Sequence, residues 1–190
     1  MADRNLYVVL MSVHGLVRGD DIELGRDADT GGQTLYVLEL AQALSERPEV
    51  GKVELFTRLV KDDSVDPEYA QPIEQINDKL SIVRMEAGPE GYIFKEQLWD
   101  YLDTFADDMM EYFSDQDHYP DIIHSHYADA GYVGVRLSNL LGLPLVHTGH
   151  SLGVDKRRRL LDKGLSPGSI ERQYNMSQRI EAEEITLGNA

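Results

Sequence analysis

Short apolar runs rich in β-branched residues alternate along this chain with segments whose apolar residues recur at helical spacing. The first run is LYVVLMS at 6–12, and GGQTLYVLELAQALSER at 31–47 follows it after a polar loop. Strands covered by helices on both faces of a parallel sheet have such continuous apolar sequences. Strands that alternate with crossover helices predict an α/β fold built on a doubly wound, mostly parallel sheet.

The same patterns predict the other elements. Four further runs predict strands, at 53–60, 80–85, 121–125 and 143–149. Three further segments predict helices, at 94–113, 128–141 and 169–187. The stretch between the second and third strands is predicted to be a long surface loop. One domain over 1–190 accounts for the chain, because a typical domain has about 100–200 residues.

Composition excludes several classes of protein. The formal net charge of −16 argues against a nucleic-acid-binding protein, which presents a basic face. No apolar run approaches the length of a membrane span, and the opening residues lack the pattern of a secretory signal. The chain has no cysteine, so neither disulfides nor thiolate metal sites are possible. We therefore expect a cytoplasmic protein with neither nucleic-acid nor membrane partners.

Basic residues are concentrated near the end of the chain. Seven of the 18 Lys and Arg residues lie between Lys156 and Arg179. In an acidic protein, such a cluster is either a site for a small anion or a helix face balanced by neighbouring glutamates. The triplet Arg157-Arg158-Arg159 is expected at the surface, because consecutive helical positions diverge by about 100°.

Three loops are expected at one edge of the predicted sheet. Ligands of doubly wound sheets bind outside the carboxyl ends of the strands, and the loops that leave those ends are 13–30, 126–130 and 149–156. These loops contain His14, Thr30-Gly31-Gly32-Gln33, His126-Tyr127-Ala128-Asp129 and Gly149-His150-Ser151-Leu152-Gly153. The sequence therefore predicts a ligand site at this edge.

The Thr30-Gly31-Gly32-Gln33 turn precedes a predicted helix. Free amides at a helix N-terminus favour an anion, and glycines permit close approach of a ligand to the backbone. The same residues could also be an ordinary turn. They do not fit the G-x-G-x-x-G pattern of dinucleotide-binding proteins, so we predict no cofactor.

The segment Gly149–Gly153 fits G-x-S-x-G, the nucleophile elbow of α/β-hydrolases. In that fold the catalytic histidine follows the serine along the chain. No histidine follows Ser151 here. The hydrolase hypothesis therefore requires a base from a segment outside this sequence.

A group of potential metal ligands comprises His124, His126 and Asp129, since imidazole and carboxylate bind zinc or iron. We expect the two histidines to point to opposite faces of their strand, with one packed in the core and one facing the site. The prediction is that no metal is bound.

Four blocks of this sequence resemble blocks of the sucrose-phosphate synthase family. They are HGLVRGDDIELGRDADTGGQTLYVLELAQAL, GPEGYIFKEQLWDYLDTFAD, DIIHSHYADAGYVGVRLSNLLGLPLVHTGHSLGVDKRRRLL and RIEAEE. The similarity extends in order from Val8 to Glu184. HGLVRG followed by GRDADTGGQ is more similar to the phosphate synthases than to sucrose synthase.

The resemblance implies the GT-B architecture, in which two Rossmann-like domains face each other across a cleft. This chain would be the N-terminal half, which binds fructose 6-phosphate. A C-terminal half that binds UDP-glucose would be absent, so we expect the isolated chain to be inactive. The implied reaction transfers glucose to fructose 6-phosphate with retention at the anomeric carbon. The alternatives are a sucrose synthase domain and a non-catalytic hexose-phosphate-binding module.

The resemblance also implies roles for individual residues. His150 corresponds to the histidine that contacts the transferred glucose. The remaining site residues correspond to positions that bind the acceptor or the reacting phosphates: Gly31, Gly32, Gln33, Tyr127, Asp129, Ser151, Lys156 and Arg179. Many relatives have a second arginine where this chain has Gln178, so one cation of the family is missing here.

Overall fold

A computed structural model describes residues 5–190, and its six strands form one sheet. Along the chain they are β1 (Leu6–Met11), β2 (Val50–Arg58), β3 (Ile73–Gln75), β4 (Leu80–Met85), β5 (Ile122–His126) and β6 (Leu145–Thr148). Their order across the sheet is β3-β4-β2-β1-β5-β6, and only β3 is antiparallel to its neighbour. Residues 1–4 of the predicted 1–190 domain lie outside the described part.

Six α-helices lie between and after these strands within residues 5–190. They are α1 (Gly32–Ser45), α2 (Leu102–Ser114), α3 (Tyr127–Leu141), α4 (Gly153–Asp162), α5 (Pro167–Tyr174) and α6 (Met176–Leu187). None of the helices within residues 5–190 is both long and apolar enough to cross a membrane.

The core has one layer on each face of the sheet, because alternate strand residues point to opposite faces. On β1, Tyr7, Val9 and Met11 pack in the layer that contains the apolar side of α2 and α3. Val8 and Leu10 pack in the layer that contains α1. Helices on both faces confirm the predicted doubly wound α/β fold.

The stretch between β2 and β4 differs from the predicted surface loop. It contains a 3₁₀ turn at Pro67–Ala70 and the short edge strand β3. The guanidinium of Arg84 on β4 holds this edge by donating to the Glu74 carboxylate and to the carbonyls of Gln71 and Val17. Three residues of strand are too few to give an alternating apolar pattern in the sequence.

The predicted helix at 94–113 was too long at its start. Two 3₁₀ turns, Lys95–Gln97 and Trp99–Tyr101, precede α2, which begins at Leu102. The backbone N–H of Lys95 donates to the Asp29 carboxylate over 2.8 Å, which ties this segment to the loop after β1. This tertiary contact overrides the apolar periodicity.

The predicted closing helix at 169–187 is two helices. Asn175 has a left-handed backbone, with φ of 43°, between α5 and α6. Asparagine is one of the few residues that adopt this conformation readily. Its side-chain amide also donates to the carbonyl oxygen of Glu96 over 2.6 Å, so a contact distant in sequence fixes the break.

The topology places a crevice beside β1. From β1 the chain passes through α1 to β2, whereas β5, the other neighbour of β1, is reached through α2. The strand order therefore reverses between β1 and β5. Doubly wound sheets bind ligands at the carboxyl ends of the strands where such a reversal occurs.

Candidate functional site

The three loops predicted to meet at the sheet edge do meet there. Nδ1 of His14, from the first loop, lies 2.6 Å from the Asp129 carboxylate at the start of α3. Nδ1 of His126, at the end of β5, lies 3.0 Å from Nε2 of His150 in the third loop. Both contacts join residues that are distant in sequence. The predicted convergence is confirmed, although the third loop is shorter than expected because α4 begins at Gly153.

The glycine turn opens α1 and faces free space. Gly31 is the N-cap residue and has φ of −140°, which any residue can adopt. A Cβ atom built at Gly31 or at Gly32 would meet nothing within 4 Å. Neither backbone conformation nor internal packing therefore requires glycine here. The absent side chains leave the first-turn amides of α1 accessible, and the Gln33 amide lies beside them, 3.2 Å from Ser12 Oγ.

Two site residues have left-handed backbones. Tyr127 has φ of 74° and His150 has φ of 55°. Non-glycine residues with positive φ are uncommon, and such strain is concentrated at functional sites. In the segment that resembles a nucleophile elbow, the strained residue is His150 and not Ser151. The exposed imidazole of His150 is thus the group that this turn presents.

Ser151 is bonded to a cation. Its carbonyl oxygen accepts a hydrogen bond from Arg179 Nη2 over 2.5 Å, and its hydroxyl oxygen lies 3.3 Å from the same nitrogen. Among residues 5–190, no histidine is hydrogen-bonded to the Ser151 hydroxyl. This geometry gives the hydrolase hypothesis no support.

A buried ion pair holds Arg179. Nε of Arg179 donates to Glu183 over 2.8 Å, and the other carboxylate oxygen of Glu183 accepts from the Gly153 backbone N–H over 2.7 Å. The guanidinium carbon lies 4.5 Å from the ring centroid of Tyr127. Nη1 has no hydrogen-bond partner among the described residues and remains available to a ligand. The α6 helix thereby brings Arg179 to both Ser151 and Tyr127.

Lys156 is the second predicted cation of the site. It lies in the first turns of α4 with its Nζ 4.2 Å from the ring centroid of Tyr174, and no carboxylate in the described chain pairs with it. Burial lowers the pKa of Lys156, and the nearby charges of Arg179 and Lys95 lower it further. The charges of Glu96 and Asp29 act in the opposite direction, but neither carboxylate forms an ion pair with the ammonium group.

Lys95 is a third cation, which the sequence did not reveal. It lines a small pocket together with Glu96, Trp99, Tyr127, Asp129, Tyr174 and Arg179. Its ammonium group forms an ion pair with the buried Asp29 carboxylate. Lys95 lies in the segment predicted as the start of a helix, where a lysine resembles any solvent-facing residue. Its position depends on the 3₁₀ turns that replace that helix.

An open groove of about 670 Å³ adjoins these residues. It is lined by Gly149, His150, Ser151, Lys156, Arg159 and Lys163, among others. As predicted, the triplet Arg157-Arg158-Arg159 is exposed. Arg158 is neutralised by Asp155 at 2.7 Å. The groove is therefore bordered by the His150 turn on one side and by a basic face of α4 on the other.

The expectation that His124 and His126 point to opposite faces was wrong. Residues two apart on a strand share a face, and the two ring centroids are 4.2 Å apart. The ring nitrogens bond elsewhere, because His124 Nε2 lies 2.8 Å from the Thr148 hydroxyl and His126 bonds to His150. Burial is the main reason why the pKa falls to about 4 for His124 and to about 2 for His126.

A mostly parallel sheet of this order, with polar loops gathered beside the strand-order reversal, defines a Rossmann-like α/β domain. The family model described as "Sucrose synthase first GT-B domain" matches residues 4–190. The chain belongs to this family, and its fold is the N-terminal half of a GT-B architecture.

Curated relatives and solved structures carry a consistent name. The chain is 44% identical to sucrose-phosphate synthase of Zea mays over 97% of its own length and 20% of that protein. It is 41% identical to sucrose-phosphate synthase of Spinacia oleracea, with the same coverage. A solved sucrose-phosphate synthase from Thermosynechococcus elongatus superposes with a TM-score of 0.76 at 27% identity, over 98% of this chain and 41% of that one. The chain thus spans about a fifth of the length of the curated relatives it matches.

Proposed function

We propose that this chain is the acceptor-binding half of a retaining glucosyltransferase that forms sucrose 6-phosphate from UDP-glucose and fructose 6-phosphate. Relatives that carry the name sucrose-phosphate synthase support the reaction class. The chain spans only part of them, so the assignment of a substrate to this half depends on the chemistry of its own residues.

The observation that carries the assignment is a site lysine without an ion-pair partner in a strongly acidic protein. A phosphomonoester has about −1.5 to −2 charges at neutral pH, and the formal net charge of −16 would repel it. Lys156 forms no ion pair among the described residues, and burial, followed by the charges of Arg179 and Lys95, lowers its pKa. A phosphate group there would supply the missing counter-charge. Free fructose would not.

Arg179 and Ser151 complete the proposed phosphate site. Nη2 of Arg179 already bonds to Ser151, so the guanidinium is oriented by a rigid contact and Nη1 can donate to a phosphate oxygen. The Ser151 hydroxyl would act as a neutral donor. Tyr127 lies beneath the guanidinium, and Asp129, two residues further along α3, is held by His14 from the loop after β1. We assign Tyr127 and Asp129 to the acceptor sugar.

The glycine turn and His150 would act on the side of the donor. The first-turn amides at Gly31, Gly32 and Gln33 would bind the reacting phosphates, because they are accessible and carry the positive end of the α1 dipole. His150 would contact the glucose in transfer. Preorganised donors and dipoles of this kind stabilise a departing diphosphate without a metal. UDP-glucose would be shared with a C-terminal domain, in a protein of the cytoplasm.

A titration of the ¹⁵N-labelled chain with sugar ligands tests this function. We expect fructose 6-phosphate to shift the amide resonances of residues 149–156 and 174–179, and fructose at the same concentration to shift them far less. Equal responses to the two sugars would favour a sucrose synthase domain with a neutral acceptor. No response to fructose 6-phosphate would contradict the proposed acceptor site.

A separate assay addresses the non-catalytic alternative. A protein in which this chain is joined to a donor half from a relative should form sucrose 6-phosphate. Binding of fructose 6-phosphate without any turnover in that protein would identify the chain as a hexose-phosphate-binding module.

A further inference from the structure

The hydrogen bond between His126 and His150 has a direction that the surrounding structure determines. The two ring nitrogens, Nδ1 of His126 and Nε2 of His150, are 3.0 Å apart. Two neutral imidazoles can form this bond only if one nitrogen carries a proton and the other presents a lone pair. The ring that donates therefore fixes the tautomer of its partner.

Both rings are neutral near pH 7. Burial, followed by the neighbouring imidazoles of His124, His150 and His147, lowers the pKa of His126 to about 2. Burial also lowers the pKa of His150, to which the charges of His14 and His147 contribute. Each ring therefore carries one N–H, and the position of that proton is the remaining question.

The second ring nitrogen of His126, Nε2, indicates where the proton of each ring lies. Nε2 of His126 is buried and has no hydrogen-bond partner within residues 5–190. If His126 accepted the bond at Nδ1, its only proton would be on Nε2 and would point at no acceptor. Buried N–H groups without an acceptor are rarer in native proteins than acceptors with an unused lone pair. His126 therefore donates from Nδ1, and its Nε2 presents the unused lone pair.

We propose that His126 is a positioning residue that fixes His150 as the Nδ1–H tautomer, so that His150 can only donate a hydrogen bond to its ligand. Nε2 of His150 is occupied as the acceptor of the bond from His126. Nδ1–H then remains as the one donor of an exposed ring that lies in a left-handed turn. The group it recognises is an acceptor oxygen, such as a sugar hydroxyl, and His150 is not a general base. That this oxygen belongs to the transferred sugar rests on the proposed function.

Neighbouring aromatic rings hold the His126 and His150 rings in place. Tyr36 contacts the His150 ring edge-on, with centroids 5.2 Å apart, which limits its rotation. The ring of His124 lies against that of His126 at 4.2 Å and at an interplanar angle of 30°. His124 thereby supports the His126 ring from one face without competing for its Nδ1.

Long-range ¹H–¹⁵N correlation spectra of the histidine-labelled chain without ligand test this assignment. At pH 7.5 we expect His126 and His150 both to carry the proton on Nδ1. This is the less common tautomer of histidine in water, so the expectation is specific. H150Q identifies the His150 signals by their loss. A wild-type spectrum with the proton on Nε2 of His126 would overturn the proposal.

Two variants separate positioning from a merely structural role. In H126N the side-chain amide nitrogen replaces Nδ1 as donor, and His150 should keep its Nδ1 proton. In H126L the donor is lost, and the His150 proton should move to Nε2, where the ring is free to donate to water. An unchanged His150 tautomer in folded H126L, or a changed one in H126N, would refute the role of His126. If H126L does not fold, the wild-type and H126N spectra decide.

The test is independent of the proposed function. It uses the chain without sugars, so a failure would leave the acceptor site untouched. Conversely, a chain that shows the expected tautomers but does not bind fructose 6-phosphate would refute only the proposed function.

Discussion

Removal of the Lys156 ammonium group should weaken the binding of fructose 6-phosphate selectively. Lys156 has no carboxylate partner in the described chain, so Lys156→Ala leaves no buried acid unpaired. The loss should therefore be close to that of one hydrogen bond to a charged group, about 1.5–3 kcal/mol. This free energy corresponds to a roughly 10- to 150-fold increase in Kd. Fructose lacks the phosphate, so its affinity should change much less.

Arg158→Ala is the matched control for this measurement. Arg158 lies on the same helix, but its side chain is 70% exposed and is paired with Asp155. Each variant should be titrated with fructose 6-phosphate and with fructose, by calorimetry or by amide shifts of the labelled chain. Equal losses for the two sugars in Lys156→Ala would show that the ammonium group does not bind the phosphate. A larger loss in Arg158→Ala would place the phosphate on the exposed triplet.

Four further outcomes are expected. The isolated chain should show no glucosyl transfer in a coupled assay, because catalysis by positioning requires both substrates to be held together; turnover above background would contradict the two-half mechanism. A fluorophosphonate probe should leave Ser151 unlabelled, and stoichiometric labelling in a mass spectrum would support a hydrolase. Arg179→Ala should lower the free energy of unfolding by about 3–5 kcal/mol, because Glu183 would remain buried without its cation; denaturant unfolding measures this, and Arg179→Ala with Glu183→Gln should recover part of the loss. The pKa of His124 is lowered from 6.5 to about 4 in the folded chain, so the unfolded chain binds protons first as the pH falls below about 6.5. Thermal stability should therefore decline between pH 6.5 and 4, and less so in a folded His124→Gln variant.

The sequence predicted the parts of the fold that depend on local pattern. β1 and α3 lie within one residue of their predicted bounds, because continuous apolar runs and helical periodicity survive in the folded protein. The errors occur where distant contacts override the pattern. Lys95 is tied to Asp29, and Asn175 to Glu96, and each contact ends or delays a helix that periodicity would extend.

In the candidate site, too, some features were predictable from the sequence and others were not. Topology alone predicts that the loops after β1, β5 and β6 meet, since the carboxyl ends of parallel strands share an edge. Which side chains touch within that edge depends on backbone details. The left-handed conformation of Tyr127 leaves no signal in the sequence, and that of His150 leaves only a weak one, because histidine is enriched in that region but adopts it in a small minority of cases. The place of the site was predictable, whereas its hydrogen bonds were not.

Buried partners hold three of the polar groups that the site presents. Asp129 is paired with His14, Arg179 with Glu183, and His150 with His126. In each pair the partner lies deep enough to be shielded from water, so the presented group cannot reorient freely. A side chain fixed in this way loses little further freedom when a ligand binds. Lys156 differs, because an aromatic ring and not a carboxylate lies beside it. The ammonium group of Lys156, which forms no ion pair, is thus the one that an incoming phosphate would neutralise.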